Sequence, residues 1–473
     1  MKHNRTKIMA TIGPACNTPE ILQEMIEAGL SVCRLNFSHG SHEEHLKVIR
    51  TIQAINKKLK THVAIMADLQ GPKLRIGNVQ DHQVELIKGD TVNLVTQECI
   101  STSDNIFVNY TDLASDVQPG DMILIDDGKI QLQVTETNHR DQVKAMVLHG
   151  GPLTSRKGVN LPNTKITQPS LTSKDILDAT FALEHDVDWI ALSFVRSATD
   201  MADLRDLIRK KKKNTRMIAK IEKPEALNEI DNIIDVSNGV MIARGDLGVE
   251  VSFERLPMIQ KDIIQKCINL AKPVIIATQM MESMIQNFRP TRAETNDVAN
   301  AVLDGADCLM LSGETSIGKF PVEVVRSMHQ IISWTEQHGF HYIREHSPTE
   351  STPSFLPDTI CYHGSQMAEL SNARAIITFT HSGYTSIRIS SHRPSAEIYA
   401  FTNNLKILRS LSIIWGVRPQ FVKTYENIND AISNTLQILK DAGQIEDGDV
   451  VVHMGSIPLN MKGQTNMIKI SYV

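Results

Sequence analysis

Long apolar runs are missing from this 473-residue chain. None approaches the roughly 20 residues that a membrane-spanning helix needs, so no membrane role is expected. Charge of one sign is also scarce. A formal net charge of −5 is too mild and too acidic for a protein built to coat nucleic acid, and no nucleic-acid partner is expected. The six cysteines, at 16, 33, 99, 267, 308 and 361, form no C-x-x-C pair and no disulfide-scaffold spacing. They fit a reducing, cytoplasmic setting. The start, M-K-H-N-R-T-K, passes straight into a β-like run without the apolar region of a signal peptide. Long low-complexity tracts are absent too, and 41% apolar residues suffice to bury full-sized cores, so two to four domains are expected.

What is present is an alternation of short β-rich runs with segments of helical period. The runs are Lys7–Ile12, Val32–Phe37, Val63–Leu69, Trp189–Phe194, Arg216–Ile221, Gly239–Ala243, Pro273–Ala277 and Cys308–Leu311. Helix-like segments such as Thr18–Ala28, Glu43–Leu59 and Phe253–Ala271 lie between them. Eight such βα units predict an α/β fold, a parallel (β/α)₈ barrel, with an open doubly wound sheet as the competing topology. The rhythm breaks between Leu69 and Ser170, where strand-like alternation and turn signals predict an all-β domain inserted after the third strand. Within it, Asp126-Asp127-Gly128 sits between two strand-like runs and reads as a hairpin turn in preference to a metal site. A Ser/Thr/Pro-rich stretch, Ser347–Pro357, marks a domain edge, followed by a compact α/β domain. The expected organisation is barrel over 1–70 and 170–345, inserted β-domain over 71–169, and C-terminal α/β domain over 346–473.

A (β/α)₈ barrel gathers its functional groups at the C-terminal ends of its strands. Those ends are chemically unusual here: Arg34, Asn36 and Ser38 at the second, Asp68 at the third, Ser193 at the fourth, Lys220 and Glu222 at the fifth, Arg244-Gly245-Asp246-Leu247-Gly248 at the sixth, Thr278-Gln279 at the seventh and Ser312-Gly313-Glu314 at the eighth. Lys220 and Glu222, two apart on a strand, share a face. An exposed ion pair is the plain explanation for such a neighbourhood. With Asp246 nearby, Glu222 supplies instead the pair of carboxylates by which Mg²⁺ is usually held, alongside substrate oxygens and water. Arg34 and Lys220 answer phosphate charge, the arginine as a fork and the lysine as a point. The set points to phosphoryl transfer. Three other signals resolve into structure: His39, His42 and His45 fall on a helix start whose Ser41 and Glu44 form a capping box, Thr291 and Glu294 form another, and Lys210–Lys213 reads as a solvated helix end.

Taken in order, K-I-M-A-T-I-G-P at Lys7, R-L-N-F-S-H-G at Arg34, G-P-K-L-R at Gly71, K-G-V-N-L-P at Lys157, A-K-I-E at Ala219, A-R-G-D-L-G-V-E at Ala243, A-T-Q-M-M-E-S-M at Ala277, R-P-T-R-A-E at Arg289 and L-S-G-E-T at Leu311 resemble the pyruvate kinases along nearly the whole chain. The resemblance implies transfer of the phosphoryl group of phosphoenolpyruvate to ADP, giving pyruvate and ATP, in a cytoplasmic homotetramer. It implies Mg²⁺ or Mn²⁺ on Glu222 and Asp246, and Lys220 with Arg34 on the phosphoryl group. Gly245, Asp246 and Thr278 would hold the phosphoenolpyruvate or pyruvate end, with Thr278 or a water beside it as proton route. Arg75 and Lys157, at the two roots of the inserted domain, would contact nucleotide phosphates, and closing that domain would shut out water. Members that need K⁺ hold it through positions matching Asn36, Ser38, Asp68 and Leu69 and carry a glutamate where this chain has Lys73. The lysine implies that K⁺ is dispensable, an ammonium supplying its charge. Thr380, His381, Ser382, Gly383 and Thr385 match the effector loop, with His381 and Tyr384 departing from the lysine and arginine of some activated members; a phosphorylated effector is expected there. The alternative reading is a metal-dependent aldolase of phosphoenolpyruvate or pyruvate, which needs neither the inserted domain nor Arg75 and Lys157.

Overall fold

The computed structural model describes residues 4–473 except 163, 340, 341, 343–345, 351, 424, 426 and 460–464. Eight parallel strands close into a barrel: β1 (Lys7–Thr11), β2 (Leu30–Asn36), β3 (Ala64–Asp68), β4 (Trp189–Leu192), β5 (Arg216–Ile221), β6 (Gly239–Ala243), β7 (Val274–Ala277) and β8 (Cys308–Leu311). Sequence and structure agree on all eight to within two residues, and the open-sheet alternative falls away. The strands are buried on both faces, as parallel strands under helices must be. Ile8, Ala10, Ile65, Ile190 and Ile242 pack with the surrounding helices. Their neighbours Met9, Val32, Met66, Trp189, Ile218, Met241, Ile275 and Met310 fill the interior. Period 2 then dictates the next layer: Arg34 continues the inward face of Val32, Asp68 that of Met66, and Lys220 that of Ile218.

Helix starts are fixed by side chains, as Ser41–Glu44 and Thr291–Glu294 show with complete capping boxes. The basic run is a helix end: Lys210 closes the helix Ala198–Lys210, and Lys213 pairs with Asp186 at 2.8 Å.

The inserted β-domain follows β3 as a curled six-stranded half-barrel plus a two-stranded pair around its own core, which includes Leu94, Ile106, Leu132 and Val147. Its strands Met122–Ile125 and Ile130–Thr137 pair antiparallel, and Asp126, Asp127 and Gly128 between them all take positive φ (53°, 57° and 84°), as a tight hairpin turn requires.

The C-terminal sheet comprises β9 (Ala375–Phe379), β10 (Glu397–Thr402), β11 (Val417–Phe421), β12 (Val450–Gly455) and β13 (Met467–Tyr472), in the order β11-β10-β9-β12-β13 with β13 antiparallel. Phe355, expected within the linker, already opens the helix Phe355–Leu370. This domain docks on the N-terminal ends of the barrel strands. Arg409 Nε lies 2.9 Å from Asp188, just before β4, and Arg393 Nη2 lies 3.1 Å from Asp307, just before β8. Asp307 also accepts the N–H of Trp415 at 3.2 Å and of Val274 at 3.0 Å. The C-terminal strand ends therefore stay open to the inserted domain. Among the described residues no helix is long and apolar enough to cross a membrane.

Candidate active site

Lys220 lies at the centre of the open end. Its ammonium donates to Ser193 Oγ at 2.6 Å and forms ion pairs with Glu222 Oε1 at 3.0 Å and Asp68 Oδ1 at 3.1 Å. Asp68 is shared, its Oδ2 taking Arg34 Nε at 2.6 Å, while Arg34 Nη1 donates to Thr11 Oγ1 at 2.8 Å. Two cations thus face one buried carboxylate. Burial alone would raise the pKa of Asp68, but the charges of Lys220 and Arg34 outweigh it and hold the carboxyl below its usual range. For Lys220, burial works against the charged form and loses to Asp68 and Glu222, so the pKa rises. Glu222, unlike Asp68, is also pushed up. Burial raises its pKa, Asp246 adds to the rise, and Lys220 only partly opposes it.

That imbalance is the test of a metal site. Glu222, 1% exposed, carries negative charge that its surroundings stabilise poorly, and Asp246 makes this worse; a divalent cation relieves it. Both donors are hard carboxylate oxygens. Two carboxylates completed by substrate oxygens and water are the arrangement Mg²⁺ favours. The residues present fit such an ion. Glu222 Oε2 is fixed by the N–H of Phe194 at 2.7 Å, and Asp246 Oδ1 lies 3.2 Å from Lys73 Nζ.

The glycine-rich segment differs from expectation. Two glycines in five residues predict a tight turn ahead of a short helix, whereas Gly245 to Gly248 lie inside the helix Arg244–Glu250. The Gly245 N–H donates to Thr278 Oγ1 at 2.7 Å, and the Thr278 hydroxyl donates to Ala277 O at 2.6 Å. Thr278 and Gln279 both sit at positive φ, 70° and 56°, a strained pair at the end of β7.

At the roots of the inserted domain, Arg75 Nη1 donates to Arg156 O at 3.0 Å, and Lys157 Nζ pairs with Asp126 at 2.9 Å. Asn36 Oδ1 accepts the Ser38 N–H at 3.1 Å in the turn after β2, so Ser38 lies beyond the strand and off its alternation. Leu69 O accepts the Ser193 hydroxyl at 2.7 Å. The remaining expected site, Thr380 to Thr385, lies at the far end of the molecule. There Gly383 is left-handed (φ 84°) and donates to Thr380 Oγ1 at 2.9 Å, His381 Nε2 donates to Leu459 O at 2.6 Å, Ser382 O accepts Arg216 Nη2 at 2.7 Å, and Thr385 Oγ1 meets Thr465 Oγ1 at 2.7 Å.

Residues 3–325 match the family described as pyruvate kinase, barrel domain, and residues 358–471 match pyruvate kinase, alpha/beta domain. The chain belongs to the pyruvate kinase family. It is 41% identical over 470 residues to the pyruvate kinases of Staphylococcus aureus strains MRSA252 and USA300, an alignment covering 99% of this chain and 80% of each relative. A crystal structure of a pyruvate kinase from Cryptosporidium parvum superposes with a TM-score of 0.92 at 37% identity, covering 99% of this chain and 96% of that one. The reaction is therefore the glycolytic one, phosphoenolpyruvate plus ADP to pyruvate plus ATP, in a family that generally needs a divalent metal, and the aldolase alternative is set aside. Sequence reasoning placed Ser193 at the fourth strand end without giving it a partner, read Asp126 only as part of a hairpin turn, and gave no role to Thr11 or Glu250. Thr11 was within reach, since it ends a barrel strand.

Proposed function

We propose that this pyruvate kinase works through Lys220, Arg34, Glu222 and Asp246 and turns over without K⁺. The convergence of Lys220, Arg34 and Asp68 beside two metal-fit carboxylates carries the reading. Glu222 and Asp246 hold Mg²⁺ or Mn²⁺, which when bound neutralises phosphoryl and enolate oxygens. Lys220 neutralises charge on the phosphoryl group in flight, and Arg34 orients it, the two acting mainly as positioned charge. Thr278 and Gly245 hold the pyruvate end. The Thr278 proton now lies on Ala277 O, so its delivery to the enolate requires the hydroxyl to rotate; a water beside it is the alternative donor. Arg75 and Lys157 take the nucleotide phosphates, Lys157 exchanging Asp126 for ADP as the inserted domain closes and excludes water.

Three observations support K⁺ independence. Asp68 is already neutralised by two cations, Asn36 Oδ1 is occupied by Ser38, and Lys73 brings an ammonium to Asp246. A homotetramer in the cytoplasm belongs to the same reading, as the family resemblance implies, and the cysteine spacing fits a reducing compartment. So does a phosphorylated effector at Thr380, His381, Ser382, Gly383 and Thr385, supported by the left-handed Gly383 ahead of the helix Tyr384–Ser391. A coupled assay with phosphoenolpyruvate, ADP and Mg²⁺ tests the cation claim. Turnover with tetramethylammonium as the sole monovalent cation should equal that with K⁺, and Lys73→Glu should introduce a K⁺ requirement. Collapse of the parent enzyme to background without K⁺ would refute it.

A further inference from the structure

The helix Arg244–Glu250 ends in a carboxylate that the reaction does not use. The Glu250 side chain is fully buried. Its Oε1 accepts two donors, Lys223 Nζ at 2.6 Å and Asn160 Nδ2 at 2.8 Å, while Oε2 has no hydrogen-bond partner among the described residues. The two donors come from different bodies. Asn160 belongs to the inserted domain, three residues beyond Lys157, on a strand paired with Leu124 and Ile125 just before the Asp126 that holds Lys157. Lys223 follows Glu222 directly, and the same short helix carries Gly245 and Asp246 at its other end. The hairpin turn reaches this helix as well: a Cβ placed on Gly128 would lie 3.9 Å from Val249 Cγ1.

We propose that Glu250 is a positioning residue that couples the inserted domain to the two metal carboxylates. Displacement of the Lys157 root moves Asn160, and through one shared oxygen it moves Glu250, Lys223 and the helix that holds Asp246. A buried charge-assisted contact is short and stiff, and an oxygen already without a partner offers no substitute acceptor geometry when a donor is lost. The inference rests on the reading of Lys157 as a nucleotide contact.

Glu250→Gln preserves shape and the Asn160 acceptor but removes the negative charge that Lys223 pairs with. It should raise KM for ADP about tenfold while KM for phosphoenolpyruvate stays within about twofold, and it should weaken Mn²⁺ binding, read by electron paramagnetic resonance, by a similar factor. Asn160→Ala, on the less buried lid side, should raise KM for ADP in the same way, and the double variant should be no worse than the poorer single one. Should Glu250→Gln fail to fold, Asn160→Ala carries the test. An unchanged KM for ADP in a folded variant, equal losses for both substrates, or full additivity in the double variant would each overturn the coupling. Lys157→Met separates the two ideas: if it leaves KM for ADP unchanged, the nucleotide reading fails; if it raises KM while the Glu250 and Asn160 variants do not, only the coupling fails.

Discussion

Replacing Lys220 by methionine removes the one ammonium that touches Ser193, Glu222 and Asp68 together while keeping an unbranched side chain one atom shorter. At an effective dielectric of about 20, a unit charge roughly 3.5 Å from a developing charge contributes about 5 kcal/mol. That corresponds to a loss of about 10³–10⁴ in kcat. Folding should suffer less. Breaking a buried ion pair costs about 3–5 kcal/mol, and the lower figure applies because Arg34 still holds Asp68 and the Phe194 N–H still holds Glu222. Metal binding should be unchanged or tighter, since a positive neighbour of Glu222 has gone. The assays are coupled turnover at saturating substrates, thermal unfolding, and Mn²⁺ titration by electron paramagnetic resonance. A folded variant that turns over within about tenfold of the parent would show that the lysine does not act on the transferring group.

Two further outcomes concern stability. His453 is fully buried in β12, and among the described residues neither ring nitrogen has a hydrogen-bond partner; burial, with Lys469 adding to it, pushes its pKa down to about 4. The unfolded imidazole takes a proton near 6.5, so the unfolded state binds more protons below that pH, and stability falls as pH drops from about 6.5 to about 4, by on the order of 3 kcal/mol. His453→Leu should flatten that part of a denaturant-melt pH profile, and an unaltered slope would clear His453 of the effect. Arg393→Met leaves Asp307 buried with only backbone donors and should cost about 3–5 kcal/mol. Calorimetry should then show the C-terminal domain melting ahead of the barrel, and a single unshifted transition would count against that strut.

The barrel was legible because each strand is a short apolar run that ends in polar or charged residues, and because one alternation rule puts Lys220 and Glu222 on the same face. The helix Arg244–Glu250 was hidden because two glycines in five residues read as a turn, whereas a tertiary contact, Gly245 N–H to Thr278 Oγ1, helps seat it. Asn160 and Glu250 stand 90 residues apart with no shared periodicity, and only the meeting of two domains brings them together. The same holds for Arg393 and Asp307, which belong to elements 86 residues apart.

The three occupied acceptors around Lys220 have a consequence for the idle enzyme. An incoming phosphoryl oxygen obtains a proton of that ammonium only by evicting an oxygen already there, and a passing water, a weaker base than either carboxylate, does not compete. The lysine therefore stays committed to its neighbours until an anionic oxygen displaces one of them, and solvent alone does not free it.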